Sequence, residues 1–185
     1  MISLSSSDAQ RLDFARSQIY LPEGYALVRA VSVRQNEQEA TLFRYEKESI
    51  IDNGEHVSLV VQHDPLMLLG YLWMDRQFAN EALPSREETT QIARDFFQQI
   101  DPSWNQTLNN LWIHRHDETL LLNDQEKIPI VGMKFKCYRE SHDDFAWVIV
   151  GYNREIIAFE RDTRWQHVRL TEKWLHDAWT SLQPL

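Results

Sequence analysis

The tightest grouping of chemistry-bearing side chains in the sequence is His114-Arg-His116-Asp117. Residues two apart on a strand point to the same side, so His114 and His116 could close on one metal ion if a third ligand arrived from elsewhere. His142-Asp-Asp144 could bring carboxylates, but no spacing places a third ligand beside the pair. The two histidines therefore read as the polar end of a strand, and no metal or other cofactor is expected. Glu87-Glu88 and Asp143-Asp144 invite an acid–base reading. Neighbours on a strand point oppositely, however, and two carboxylates at a helix start are accounted for by the helix dipole. No catalytic residue is assigned. Cys137 is the one cysteine, which rules out an intramolecular disulfide. In Met133-Lys-Phe-Lys-Cys-Tyr-Arg139 alternation sets Met133, Phe135 and Cys137 on one face and Lys134, Lys136 and Tyr138 on the other. That pattern makes Cys137 a buried structural thiol, not a nucleophile, which would need an exposed electropositive setting.

Tryptophan is the better lead. Of seven, only Trp73 precedes residue 84. Trp147, Trp174 and Trp179 fit core positions by periodicity. Trp104 and Trp165 fall in predicted loops, where large aromatics mark interfaces, and Trp112 shares a strand face with His114. The candidate binding residues are thus Trp104, Trp112, His114, His116 and Trp165. An enzymatic alternative, hydrolase-like, would place its site around Arg76, Trp112, His114 and His116.

The chain has 185 residues, 43% hydrophobic and 25% charged, with a net charge of −9. These values describe a folded protein able to bury a core, not a disordered one. Its 19 basic residues include only five lysines, and the arginines are scattered, so the clustered cations of a nucleic-acid partner are missing. There is no apolar run long enough to span a bilayer. The first eight residues lack the charged and apolar regions of a signal peptide, which points to the cytoplasm, or to an extracytoplasmic site if a leader has been removed. GxSxG, HExxH, CxxC, phosphate-binding and dinucleotide glycine motifs are all absent, and five scattered glycines offer little loop material for wrapping a ligand.

The elements that must position these residues recur. Ser7-Asp8 caps an amphipathic helix through Ile19, followed by strand-like runs at Tyr25–Val33, Ala40–Glu46, Val57–Gln62 and Leu66–Trp73, broken at Gln35–Gln38, Asp52–Gly54 and Asp64-Pro65. Ser85 with Glu88 forms a capping box for a second helix, followed by runs at Leu108–His116, Ile128–Tyr138, Phe145–Gly151 and Glu155–Glu160. Ser58–Leu69 also lies over Trp147–Ala158 at a constant offset. The expected fold is α+β: two tandem repeats, each a helix plus a four-stranded antiparallel sheet, over residues 1–74 and 85–162. Residues 75–84 form a docked joint, since Phe78, Ala82 and Leu83 would pack rather than be solvated. Residues 163–185 carry a closing helix, with Leu170, Trp174, Leu175, Ala178, Trp179 and Leu182 on one stripe.

Ser85-x-Glu87-Glu88-x-x-x-Ile92-Ala93, followed by strands ending in Trp147-Val-Ile-Val and Ile156-Ile-Ala-Phe, resembles the PepSY-type domain over residues 84–160, and more weakly over 7–73. It departs at Thr89, where that pattern usually has a small residue. The resemblance implies a small α+β module, often in tandem and often extracytoplasmic, that binds or restrains peptidases without catalysing. The sequence is thus read as a noncatalytic binding or regulatory module presenting a sheet face or loop aromatics to a protein or peptide partner. Homodimerisation is the other way to cover exposed apolar surface.

Overall fold

The computed structural model describes residues 2–47, 54–123 and 125–185. Asp52 and Asn53 of the expected break before the third strand lie outside them. Among the described residues the chain forms α1 (Ser6–Gln18), β1 (Tyr25–Gln35), β2 (Gln38–Lys47), β3 (His56–Gln62) and β4 (Met67–Met74). After a 3₁₀ turn (Arg76–Ala79) come α2 (Arg86–Ile100), α3 (Pro102–Thr107), β5 (Asn109–Leu121), β6 (Lys127–Arg139), β7 (Asp144–Val150), β8 (Ile156–Gln166), β9 (Val168–Arg169) and α4 (Asp177–Thr180).

The two expected four-stranded sheets do not exist as separate units. The strands form one antiparallel sheet in the order β1-β2-β3-β4-β8-β7-β6-β5, with β9 paired to the end of β8. The merger follows from composition. Seven of the eight residues of β4 are buried, as are the central residues of β8, so neither strand could serve as a solvated edge with unpaired amides and carbonyls. They pair through Gly70–Glu160, Tyr71–Phe159 and Leu72–Ala158, and the strands left at the rims, β1 and β5, are those with few buried residues.

Register sorts the side chains. One row across the sheet runs Phe43, Leu59, Tyr71, Phe159, Val148, Phe135, all at most 1% exposed. The helices cover this face. Leu12 and Ala15 of α1 are buried, and Phe96 and Phe97 of α2 meet Phe159 and Phe135 at ring separations of 5.0 and 6.3 Å. The capping box of α2 is formed: the Glu88 amide donates to Ser85 Oγ (3.1 Å) and the Ser85 amide to the Glu88 carboxylate (2.8 Å). The joint is packed through Phe78, fully buried with its ring 4.7 Å from that of Trp73.

The expected closing helix over 170–182 is also corrected. Only Asp177–Thr180 is helical, and Leu170 and Leu182, two residues of the predicted apolar stripe, are 52% and 77% exposed. Thr, Trp, His and Asp have middling helix propensity, and tertiary anchors decide the outcome. The Thr171 hydroxyl donates to Asn36 Oδ1 (2.6 Å) and accepts from the Arg164 amide (2.8 Å). Trp174 Nε1 donates to the Arg34 carbonyl (2.8 Å), and Leu175 packs on Gly70, where a Cβ would come within 2.8 Å of its Cδ1. Held at these points, the chain crosses the sheet face opposite the helices as a series of turns with α4 as its one helical turn. No helix among the described residues is long and apolar enough to cross a membrane.

Candidate functional site

The face under the C-terminal segment carries two cross-sheet rows. One runs Leu42, Val60, Gly70, Glu160, Trp147, Lys136, Trp112. The other runs Arg29, Arg44, Ser58, Leu72, Ala158, Ile149, Lys134, His114. On the β2–β3 side the segment is tied down by Asp177, whose carboxylate accepts from both terminal nitrogens of Arg44 at 2.5 and 3.0 Å. On the other side it leaves open a cleft of about 540 Å³, floored by Lys134, Lys136, Trp147 and Glu160 and walled by His116 and Glu118 of β5, Trp165 of β8, and Arg169, Lys173, His176 and Trp179.

Charge in this cleft runs against that of the chain. Four cationic side chains, Lys134, Lys136, Arg169 and Lys173, face two carboxylates, Glu118 and Glu160, whereas the protein as a whole carries −9. The carboxylates are occupied. Glu160 is buried and takes Arg169 in a two-pronged pair at 2.5 and 3.2 Å, with His176 Nε2 at 3.7 Å. Burial alone would raise its pKa, but His176 and Arg169 outweigh burial and hold it at about 2. Glu118 lies 2.8 Å from His116 Nε2, and that bond keeps its pKa below the usual range.

The lysines have no such partners. Among the described residues, the ammonium groups of Lys134, Lys136 and Lys173 make no ion pair. Lys134 Nζ sits 4.3 Å from the centroid of the Trp147 ring. Lys136 Nζ lies among four rings, 5.0 Å from Phe145, 5.2 Å from Trp165, 5.5 Å from Trp112 and 5.8 Å from Trp147. Burial, followed by repulsion from Lys136, pulls the Lys134 pKa down to about 8, and Arg169 adds to the drop while Glu160 and Glu118 resist it. Burial lowers Lys136 as well. The result is a pair of desolvated cations resting on indole faces, a setting that offers positive charge and flat apolar surface together.

The expected site residues divide. His116 and Trp165 line the cleft, and Trp165 is 41% exposed. Trp112 and His114 stand at its outer edge, their rings 5.3 Å apart, with Trp112 contributing to the cage around Lys136. Trp104 is not a loop residue and presents no surface. It lies in α3, is 3% exposed, and packs against Phe97 (5.1 Å) with the Arg161 guanidinium 4.0 Å above its ring. Arg76 belongs elsewhere, since its guanidinium and amide hold the buried Glu55 carboxylate. Cys137 is buried, and burial pushes its thiol up to about 12. Among the described residues, no three His, Cys, Asp or Glu side chains are grouped to hold a metal ion.

The sequence reading missed Lys134, Lys136, Lys173, Arg169 and Glu160. A signal was present for three of them: lysine is scarce here, and three of the five in the chain converge on this cleft. Compared with known proteins, the chain matches no family model, no curated protein and no solved structure, so the PepSY-type resemblance rests on the residues that suggested it.

Proposed function

We propose that this chain is a binding module whose cleft takes a small anionic molecule with a flat apolar body. The observation that carries this reading is the gathering of Lys134, Lys136 and Lys173, none ion-paired among the described residues, in one cleft, with Lys134 against the indole face of Trp147 and Lys136 against that of Trp165. Placing lysines there without counter-charges costs stability, and an anionic ligand supplies the missing charge. A volume of about 540 Å³ falls in the range of small-ligand sites, and the tryptophans offer broad faces for a planar group. The sequence-level expectation of a binding role is kept, with the occupant refined from a protein or peptide to a small acid.

The test is a charge-matched pair of probes. 2-Naphthoate should bind, seen by calorimetry and by a change in tryptophan emission, and should weaken with added salt. 2-Naphthylmethylammonium, of the same shape and opposite charge, should not. Lys136→Met and Trp165→Ala should each reduce naphthoate affinity by about tenfold, the scale of one lost charged or aromatic contact. Equal binding of the two probes, or none of either, would overturn the reading.

A further inference from the structure

We propose that Lys134 is a carbonyl-capturing amine, forming an imine with a small aldehyde or ketone that carries an acidic group. This inference rests on the anion-binding reading of the same cleft and adds a covalent step to it. Lys134 projects from the middle of β6 into the cleft floor, with its Nζ against the Trp147 face and no carboxylate paired to it among the described residues. Lysine is a nucleophile only as the neutral amine, and amines are kept neutral by apolar surroundings and a neighbouring cation. Both conditions hold here. Lys136 stands two residues away on the same face, and Lys173 lines the same cleft, so an acidic group can rest on these two ammonium groups while the carbonyl lies over the amine.

The charged and titratable groups around Lys134 are Lys136 from β6, His114 as its direct partner on β5 with His116 and Glu118 on the same strand, Glu160 from β8, Arg169 from β9, and Lys173 and His176 from the following segment, while β7 brings only Trp147 and Ile149. The carboxylates favour the ammonium form, but Glu160 is spent on Arg169 and Glu118 on His116. Burial and the adjacent cations prevail. Trp147 also favours the cation through its ring face, so the amine is poised, part protonated and part free, near neutral pH. In the step itself the nitrogen lone pair adds to the carbonyl carbon and the C=O electrons move to oxygen. A first proton passes from nitrogen to that oxygen to give the carbinolamine; the nitrogen lone pair then forms the C=N bond as the hydroxyl departs, and the second N–H proton goes to it, so that the oxygen leaves as water. The product is a C=N bond plus one water, with no change in oxidation state and no co-reactant.

The probe is pyridoxal 5′-phosphate, an aldehyde bearing an acidic group on a flat ring, with borohydride to fix any imine and peptide mapping to locate it. The expected result is labelling of Lys134 at least tenfold over each of the other four lysines. Pyridoxal without the phosphate should label it at least tenfold more slowly. Lys134→Met should abolish the imine absorption, and Lys136→Met should move the midpoint of the labelling rate to higher pH. Pyridoxine 5′-phosphate, which has no carbonyl, separates the two ideas. If it binds and quenches tryptophan emission while labelling is spread evenly over the lysines, covalent capture is overturned and the anion site stands. If it does not bind and Lys134 is not labelled, both fall.

Discussion

Replacing Lys134 by methionine should make the protein more stable, because the native lysine is held against its own charging preference. Its pKa drops from the ordinary 10.5 to about 8, with burial the largest cause. At about 1.4 kcal/mol for each tenfold change in proton affinity, keeping it charged in the fold at neutral pH costs about 3 kcal/mol. The contact with Trp147 at 4.3 Å returns about 1 kcal/mol, so Lys134→Met, which keeps the apolar stem and removes the charge, should gain about 2 kcal/mol at pH 7. The pH dependence identifies the cause. Because the folded-state pKa lies below the unfolded one, the unfolded chain holds more protons between about pH 8 and 10.5, and the parent gains stability as pH rises through that window. The variant lacks this gain, so its advantage should be flat below pH 8 and fade toward pH 10.5. Urea melts of both proteins at pH 7, 8, 9 and 10 measure this directly. A variant less stable than the parent at pH 7, or one whose advantage does not change with pH, would refute the claim that Lys134 is an uncompensated cation.

Three further outcomes follow from buried groups. Glu160→Gln strands the Arg169 guanidinium, 5% exposed, without its counter-charge and should cost about 3 kcal/mol, with faster amide exchange localised to residues 168–176. His56 is buried and neutral, its pKa lowered to about 4 chiefly by burial. Protons therefore favour the unfolded chain as pH falls from 6.5 to 4, and urea melts should show about 3 kcal/mol lost across that window, a loss that His56→Gln should largely abolish. Cys137, pushed up to about 12 by burial, should resist an aromatic disulfide reagent at pH 8 in the native protein and react at once in urea; rapid native-state labelling would show that β6 opens readily.

Local signals were readable where a residue type dictates a local bond. Ser85 and Glu88 announce the start of α2, and the expected strand runs fall within or close to the observed strands. The end of β5 was placed too early, at His116 rather than Leu121, because a polar stretch on a rim strand resembles the loop that would follow it. What was illegible depends on partners distant in sequence. That β4 would meet β8 is decided by which strands cannot tolerate an edge, and the offset between Ser58–Leu69 and Trp147–Ala158 says only that the two hairpins are alike, not that they share a sheet. The C-terminal stripe was helical in period, yet Thr171 finds Asn36 more than a hundred residues earlier. Trp104 falls in a predicted loop because Asp101-Pro102 reads as the end of the preceding helix, and the short α3 instead drives its ring into the core. The charged cleft was hidden for a related reason: alternation set Lys134 and Lys136 on an outward face, and nothing local said that the chain end would cover it.

The cleft's chemistry is a consequence of strand register. Lys136 stands beside Trp147 and Lys134 beside Ile149 because β6 and β7 pair at those positions, and a slip of one residue would send Phe135 and Cys137 to this face and both lysines into the helix-covered core. The core forbids that slip energetically, and Gly132 forbids it sterically. A Cβ there would lie 2.4 Å from Ile149 Cγ2 and 3.0 Å from the Val150 carbonyl oxygen, so only glycine fits at this position of β6, two residues before Lys134 on the same face. The same packing that buries Phe135 therefore obliges its two neighbours to face the tryptophans. With both carboxylates in reach already engaged by Arg169 and His116, the lysines are left to whatever anion enters. In a chain of −9 that surplus of positive charge is a local product of the fold, and it accounts for why bulk composition pointed away from an anionic partner while the structure provides a place for one.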